Sequence, residues 1–280
     1  MSDLELQGLI TPVRDIAREA GRAIMEVYKD IGAVRTKSDG SPVTEADRRA
    51  HRVIAARLGD LTPDTPILSE ESAQAPYAER RRWREFWLVD PLDGTKEFIN
   101  QRDEFTVNIA LVRDGVPVLG VVGIPARDVI YWGGAAGNGG GAWRRRNDAK
   151  PDRIRVSHFR SGTPIVVASR SHSSPPTAEF VERAKKVFGD CALKSMGSAL
   201  KICLVAEGEA DVYPRLGPTS EWDIAAAHAV LQAAGGRMTT ARGEPLRYNK
   251  ENILNPWFVA AGESDFDWIE LTRDLAEEQD

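Results

Sequence analysis

Val13, Ile16, Ala17, Ala20, Ile24, Val27 and Ile31 recur at helical spacing and form the apolar stripe of an amphipathic helix. Thr11-Pro12 is placed to start it, or Pro12 to sit in a frayed first turn, because proline is tolerated there and not in a helix interior. Lys37 to Pro42 is a turn or loop, and Ala50, Val53, Ile54 and Leu58 describe a second helix. The period then changes. Pro66-Ile67-Leu68 and Phe86-Trp87-Leu88-Val89 are short apolar runs of the kind that form buried strands. Phe105–Val112, Val116–Ile124 and Val129–Trp132 follow, with Asp114-Gly115 as a hairpin signal, so this sheet is antiparallel. Gly133 to Gly141 reads as a glycine-rich connection that lacks the Lys-Ser/Thr of a phosphate-cradling loop.

From about Arg153 strands and helices alternate. Ile165–Ala168 is a strand, Phe180–Phe188 a helix and Ala192–Met196 a strand. Ser198 is placed to cap a helix that runs to Glu207 and stops at Gly208. Ala210–Arg215 is a strand, a helix follows Thr219-Ser220 and closes at Gly235-Gly236, Trp257–Ala261 is strand-like, and a helical tail spans Asp265–Ala276. The fold class is α/β: an α+β half with an antiparallel sheet over residues 1–150, then an α/β half over 151–280.

At 280 residues, 42% hydrophobic and 28% charged, the chain can bury a large core and has ordinary globular composition. Its net charge of −5 offers no field for a nucleic-acid polymer, so any phosphate must be met by a few placed cationic groups. Arg80-Arg81-Arg82 and Arg144-Arg145-Arg146 read as solvated loops. Cys191 and Cys203 have neither disulfide nor zinc spacing. No signal-peptide pattern opens the chain and no apolar run is long enough to span a bilayer. Together these point to the cytoplasm, with peripheral membrane association left open.

The chemistry gathers at the strand ends. Asp90 and Asp93 follow the run Phe86–Val89, and Gly94-Thr95 opens a short helix, so hard cations and a phosphate could be held side by side. Glu70-Glu71 likewise follows a strand. Asp47 fits a capping box with Thr44, and Asp223 fits the first turn of its helix, where the dipole favours an acid. Ser198 and Lys201 share a helical face, and His172 lies in a polar cluster after a strand. Each also has a structural reading: solvated turn, cap, surface histidine or solvent-facing lysine.

DPLDGT at 90–95, with Glu70-Glu71 upstream and WDIAA at 222–226 downstream, resembles the signature of the inositol monophosphatase superfamily. The run AEGEADVYPR at 206–215 is similar to the 3′(2′),5′-bisphosphate nucleotidase (CysQ-like) branch. The resemblance covers nearly the whole chain. It implies a layered α-β-α-β-α sugar-phosphatase-like fold and a lithium-sensitive, Mg²⁺-dependent phosphatase of sulfur metabolism. It implies two or three Mg²⁺ ions, replaceable by Mn²⁺, held by Glu70, Asp90, Leu92, Asp93 and Asp223. Asp47, in SPVTEAD, and Thr95 would orient the attacking water. Gly94, Thr95, His172, Ser198, Lys201 and Arg215 would bind substrate, the last three around a second phosphate.

The expected reaction is removal of the 3′-phosphate of adenosine 3′,5′-bisphosphate, giving AMP and phosphate. The partner is thus a small nucleotide bisphosphate, and family members are often homodimers. An inositol or sugar phosphatase of the same superfamily would share the metal site and differ in the second half of the chain. A non-catalytic nucleotide sensor ranks below both, because every metal and water-orienting position is present.

Overall fold

The structure is a computed structural model that describes residues 3–30, 35–36, 42–134, 140–169 and 174–277. In chain order the elements are α1 (Asp3–Tyr28), β1 (Arg35–Thr36), β2 (Pro42–Val43), α2 (Glu45–Leu61), β3 (Ile67–Ser69), α3 (Tyr77–Arg80), β4 (Glu85–Asp93), α4 (Thr95–Ile99), β5 (Thr106–Arg113), β6 (Val116–Ile124), β7 (Val129–Gly134) and β8 (Gly141–Arg146). They continue with β9 (Asp152–Ile154), β10 (His158–Phe159), β11 (Ile165–Ser169), α5 (Pro175–Phe188), β12 (Ala192–Met196), α6 (Leu200–Ala206), β13 (Val212–Arg215), α7 (Glu221–Ala233), β14 (Arg237–Thr240), β15 (Phe258–Ala261), β16 (Glu263–Ser264) and α8 (Arg273–Glu277).

Strands β3 to β9 pair in sequence order into one sheet, parallel only at β3–β4. A second sheet has the order β12-β11-β13-β15-β14, parallel around β11 and antiparallel beyond β13. Side-chain alternation divides the core between them. Trp87, Val89, Ile109 and Leu111 point to α1 and α2, while Phe86, Leu88, Ala110 and Val112 point to α6 and α7. Those two helices also meet Tyr213 and Phe258 of the second sheet. The far side of that sheet buries Val166 and Val259 against Phe180 of α5 and Trp268. The layers therefore run α-β-α-β-α. Each such fully buried Phe or Leu contributes about 1.5–3 kcal/mol.

Helix α7 lies directly on the first sheet. A Cβ at Gly120 would overlap the Ala226 carbonyl, and one at Gly133 would come within 2.9 Å of Ala233 Cβ, so only glycine lets the helix approach this closely. Helix α6 is tied to the same sheet by Glu207, which accepts hydrogen bonds from Tyr131 Oη at 3.1 Å and from Arg144. Both cysteines are buried and free.

Several boundaries differ from expectation. Helix α1 begins at Asp3 and carries Pro12 inside it, so Pro12 is no start. Seven buried apolar positions, Leu6, Leu9, Val13, Ile16, Ala17, Ala20 and Ile24, hold the helix across the proline, and packing overrides its local penalty. Helix α5 begins at Pro175, capped by Ser174, ahead of Phe180. The tail is a 3-10 turn at Trp268–Leu271 followed by α8. The hairpin at Asp114-Gly115 is present, with both residues at positive φ. Residues 37–41 and 135–139, where a loop and the glycine-rich connection were expected, lie outside the described residues.

Candidate active site

The centre of the site is an irregularity in a strand. β4 does not stop at Val89 but continues through Pro91 to Asp93. Asp90 pairs with Asn108 and Asp93 with Thr106, so three steps on β4 face two on β5. This is a bulge with one surplus residue. In a regular strand two residues three apart point to opposite faces. The surplus residue restores both aspartates to the face that carries Phe86 and Leu88, the face turned to α7. Asp90 Oδ1 accepts the Leu92 N–H at 3.0 Å, closing the bulge on itself. Leu92 packs its side chain into the core, which leaves only its carbonyl as a donor to any metal.

Glu70 follows β3 directly and is fixed by its own N–H to Val89 O at 3.1 Å. Since β3 and β4 are parallel, Glu70 and Asp90 emerge at the same edge. Asp223 enters from the first turn of α7, where its Oδ2 accepts the Ser220 N–H at 2.9 Å. Asp93 Oδ2 accepts the Ala199 N–H at 2.7 Å, with Thr106 Oγ1 at 3.4 Å and Asn108 Nδ2 at 3.5 Å. Asn108 also donates to the main-chain carbonyl of Asp223 at 3.4 Å and so links the Asp93 carboxylate to the first turn of α7.

These carboxylates repel one another at the cavity edge, where Asp90 is buried and Glu70, Asp93 and Asp223 are half-buried. Asp90 is 1% exposed. Burial, then Glu70, Asp93 and Asp223, raise its pKa well above the usual carboxylate range. Asp223 is raised well above that range by burial and by Asp93. Asp93 is also raised by burial, with the Lys201 ammonium and the Ala199 N–H opposing. Buried anions require a counter-charge. The donors are all oxygens, and the buried Asn108 Oδ1 has no hydrogen-bond partner among the described residues. Such a wall fits hard divalent cations better than zinc. Among the described residues no three His, Cys, Asp or Glu groups form a ready-made metal cage. Asp90, Asp93 and Asp223 are each drawn toward an N–H of their own.

Asp47 serves two functions with its two oxygens. Oδ2 takes the Thr44 N–H at 2.7 Å and the Thr44 hydroxyl at 2.6 Å, completing the capping box. Oδ1 accepts the Thr95 hydroxyl at 3.3 Å. Burial raises the Asp47 pKa, and the bonds from Thr44 oppose the rise. Gly94, at φ 91°, turns the chain from the bulge into α4 in a conformation that suits glycine.

Beside the acids stands a cationic wall. A cavity of about 220 Å³ is lined by Glu70, Asp93, Gly94, Thr95 and Asp223 and, from the segment leading into α6 and from β13, by Ser198, Lys201, Tyr213 and Arg215. Lys201 Nζ donates to Ser198 O at 2.7 Å and lies 5.5 Å from the Tyr213 ring centroid. Burial lowers its pKa to about 8, against the pull of Asp93. Arg215 donates to Pro218 O at 2.7 Å, and its buried Nε has no partner among the described residues.

Ser198 does not cap α6. The N-cap is Ala199, and Ser198 sits at φ 47° with its hydroxyl donated to Glu104 O at 2.7 Å. A left-handed residue cannot supply the extended geometry of a cap. His172 lies outside the described residues. Three groups absent from the sequence reading hold the site from behind. Asn108 links the Asp93 carboxylate to the Asp223 main-chain carbonyl, Glu104 accepts the Gly197 N–H at 2.9 Å, and Glu221 takes Asn249 N, Lys250 N and Lys250 Nζ at 2.7, 3.0 and 2.6 Å. Only Asn108 had a sequence signal, a polar residue inside the apolar run Phe105–Val112.

Comparison with known proteins places this architecture. Residues 5–266 match the profile of the inositol monophosphatase family. The chain is 46% identical over 254 residues to the 3′(2′),5′-bisphosphate nucleotidase CysQ of Escherichia coli K12, spanning 89% of this chain and 98% of that one. Its structure resembles the crystal structure of CysQ from Bacteroides thetaiotaomicron, with a TM-score of 0.82, 44% identity and coverage of 93% and 99%. It resembles the IMPase of Thermotoga maritima with a TM-score of 0.76, 27% identity and coverage of 95% and 97%. No described helix is long and apolar enough to cross a membrane. The acids at the strand edge therefore stand in a known architectural setting, and the chain belongs to the inositol monophosphatase family.

Proposed function

We propose that this protein is a 3′(2′),5′-bisphosphate nucleotidase that removes the 3′-phosphate of adenosine 3′,5′-bisphosphate, leaving AMP and phosphate. The observation that carries the reading is the cavity's double lining: acids suited to cations, and Lys201 with Arg215 beside them. A simple monoester needs only the first wall. A bisphosphate needs both.

Glu70, Asp90, Asp93, Asp223 and the Leu92 carbonyl would hold two or three Mg²⁺ ions, with Mn²⁺ an accepted substitute. When bound, these ions neutralise the phosphate and lower the pKa of the attacking water. Asp47 and Thr95 orient that water. The Thr95 hydroxyl donates to Asp47 Oδ1, which turns its lone pairs toward the water's proton. The N–H groups at the start of α4, at Gly94 and Thr95, face the oxygens of the departing phosphate. The guanidinium of Arg215 and the remaining Lys201 protons, both on residues that line the cavity, would meet the 5′-phosphate that stays. The Ser198 hydroxyl is donated to Glu104, so Ser198 contributes as an acceptor and through its backbone.

A panel of adenosine 3′,5′-bisphosphate, its 2′,5′-isomer, 3′-AMP and inositol 1-phosphate, assayed for phosphate release with Mg²⁺ and with EDTA, tests the reading. The bisphosphate should give the highest kcat/KM, and EDTA should abolish release. A preference for inositol 1-phosphate would overturn it.

A further inference from the structure

The substrate wall is not self-supporting. Residues 197–199, between β12 and α6, have no regular secondary structure. Their polar groups are taken up by the other half of the chain. Gly197 N–H donates to Glu104 Oε2 at 2.9 Å, the Ser198 hydroxyl donates to Glu104 O at 2.7 Å, and Ala199 N–H donates to Asp93 Oδ2 at 2.7 Å. Glu104 thus holds two consecutive residues, one through its carboxylate and one through its backbone. It is 6% exposed and does not line the cavity. Arg127 braces it, with Nη2 at 3.5 Å from Oε1 and 3.9 Å from Met196 Sδ, just before the held segment.

The consequence reaches the cationic wall through Ser198. Its φ of 47° is a conformation that a serine does not choose unaided. Lys201 Nζ is anchored on Ser198 O, so the direction of that carbonyl sets where the ammonium points. The fit is tight on both sides. A Cβ on Gly197 would lie 2.7 Å from Glu97 Cγ and 3.1 Å from Glu104 O, and one on Gly94 would lie 3.4 Å from Ser198 Cβ. The loop is pressed into a slot whose floor is Glu104.

We infer that Glu104 is the positioning residue for substrate selection: by accepting the Gly197 N–H it locks the 197–199 segment and aims Lys201 at the unreacted phosphate. The inference rests on the bisphosphate reading above. It assigns Glu104 no contact with substrate and no part in water activation.

The test is a KM-against-kcat split in three variants, with AMP binding measured by calorimetry on the Mg²⁺-loaded protein. Glu104→Ala removes the acceptor. KM for adenosine 3′,5′-bisphosphate should rise roughly ten- to a hundredfold, the range of a lost hydrogen bond to a charged group, and AMP affinity should fall alike. Its kcat should fall by less than about threefold, the mark of binding lost equally from ground and transition states. Glu104→Gln keeps an acceptor for Gly197 and should restore KM to within about threefold of wild type. Arg127→Ala, at a half-exposed position that does not endanger folding, should raise KM by about two- to fivefold and supports or sinks the case should Glu104→Ala not fold. Wild-type KM and AMP affinity in Glu104→Ala and Arg127→Ala would overturn the inference. So would a Glu104→Gln variant as impaired as Glu104→Ala, or a loss confined to kcat. If the wild type itself prefers a simple monoester, the bisphosphate reading fails. Glu104 is then judged by the same split on that monoester.

Discussion

Replacing Asp90 should make the metal-free protein more stable while destroying its activity. Asp90 Oδ1 already accepts the Leu92 N–H, so the amide oxygen of Asp90→Asn can keep that bond at its 3.0 Å geometry. The amide nitrogen then faces Glu70, turning a repulsive carboxyl pair into a donor–acceptor contact. A hydrogen bond to a charged group is worth about 1.5–3 kcal/mol, part of which is offset by the desolvated amide. A net gain of about 1–2 kcal/mol, at about 2–4 °C per kcal/mol for a protein of this class, gives a Tm rise of roughly 2–8 °C in EDTA. The sign also follows from linkage. The folded-state pKa values of Asp90, Asp93 and Asp223 lie above the ordinary 3.8, so the folded state retains protons that the unfolded chain releases. That stability is fully present below the unfolded value and is lost as pH rises through the raised values. The variant should therefore gain most at neutral pH and little in acid. With Mg²⁺ the order reverses: at a hundred times its Kd, the ion stabilises wild type by about 2.7 kcal/mol, and the variant much less. Turnover should fall at least about a hundredfold, within the several kcal/mol of a metal's charge stabilisation. Scanning calorimetry in EDTA and in Mg²⁺, beside phosphate release, reads all of this. A variant less stable than wild type in EDTA, or near full activity at saturating Mg²⁺, would refute the reasoning.

Three further outcomes follow from the geometry. Arg215→Ala should lower kcat/KM on adenosine 3′,5′-bisphosphate by roughly ten- to a hundredfold and change 3′-AMP hydrolysis little; equal losses on both would remove Arg215 from the second phosphate. Buried His228, whose pKa burial lowers to about 4, should cost stability as pH falls from about 6.5 toward 4, by about 1.4 kcal/mol per unit at most, and His228→Leu should flatten that part of a urea-unfolding profile. Li⁺ at about 10 mM should inhibit, since it carries half the charge of Mg²⁺ in the same all-oxygen wall; indifference to Li⁺ would count against that wall as the metal site.

The parts of this molecule that were legible in its sequence are those governed by local rules. The periodicity of residues 13–27 and 50–58, the Asp114-Gly115 hairpin and the Thr44/Asp47 box follow from neighbours along the chain, and all are present. At Asp47 the capping box occupies Oδ2 and leaves Oδ1 to the Thr95 hydroxyl, so the structural reading does not compete with the proposed one. Ser198 was misread because its conformation is imposed from Glu104, ninety-four positions away. Pro12 was misread because burial along α1 outweighs what proline dictates locally. Asn108 showed only as a polar residue in an apolar run, and Glu104 and Glu221 not at all, since their partners come from other elements and no spacing rule connects them. Asp90 and Asp93 are three apart, which suggests a shared face only in a helix. In the strand they occupy, a resemblance could unite them where periodicity could not.

The bulge in β4 separates what the architecture needs from what the chemistry needs. A β4 shorter by one residue between Asp90 and Asp93 could pair with β5 without interruption, and its two acids, now two apart, would still share a face. The sheet would be straighter and its ladder complete. What would vanish is the kink that folds Leu92 N–H onto Asp90 and leads the chain into the Gly94 turn. The surplus residue serves the proposed chemistry and not the ladder. Such a deletion should keep the layers, read by circular dichroism, and lose Mg²⁺-dependent phosphate release, giving a form in which binding partners of the fold could be studied apart from catalysis.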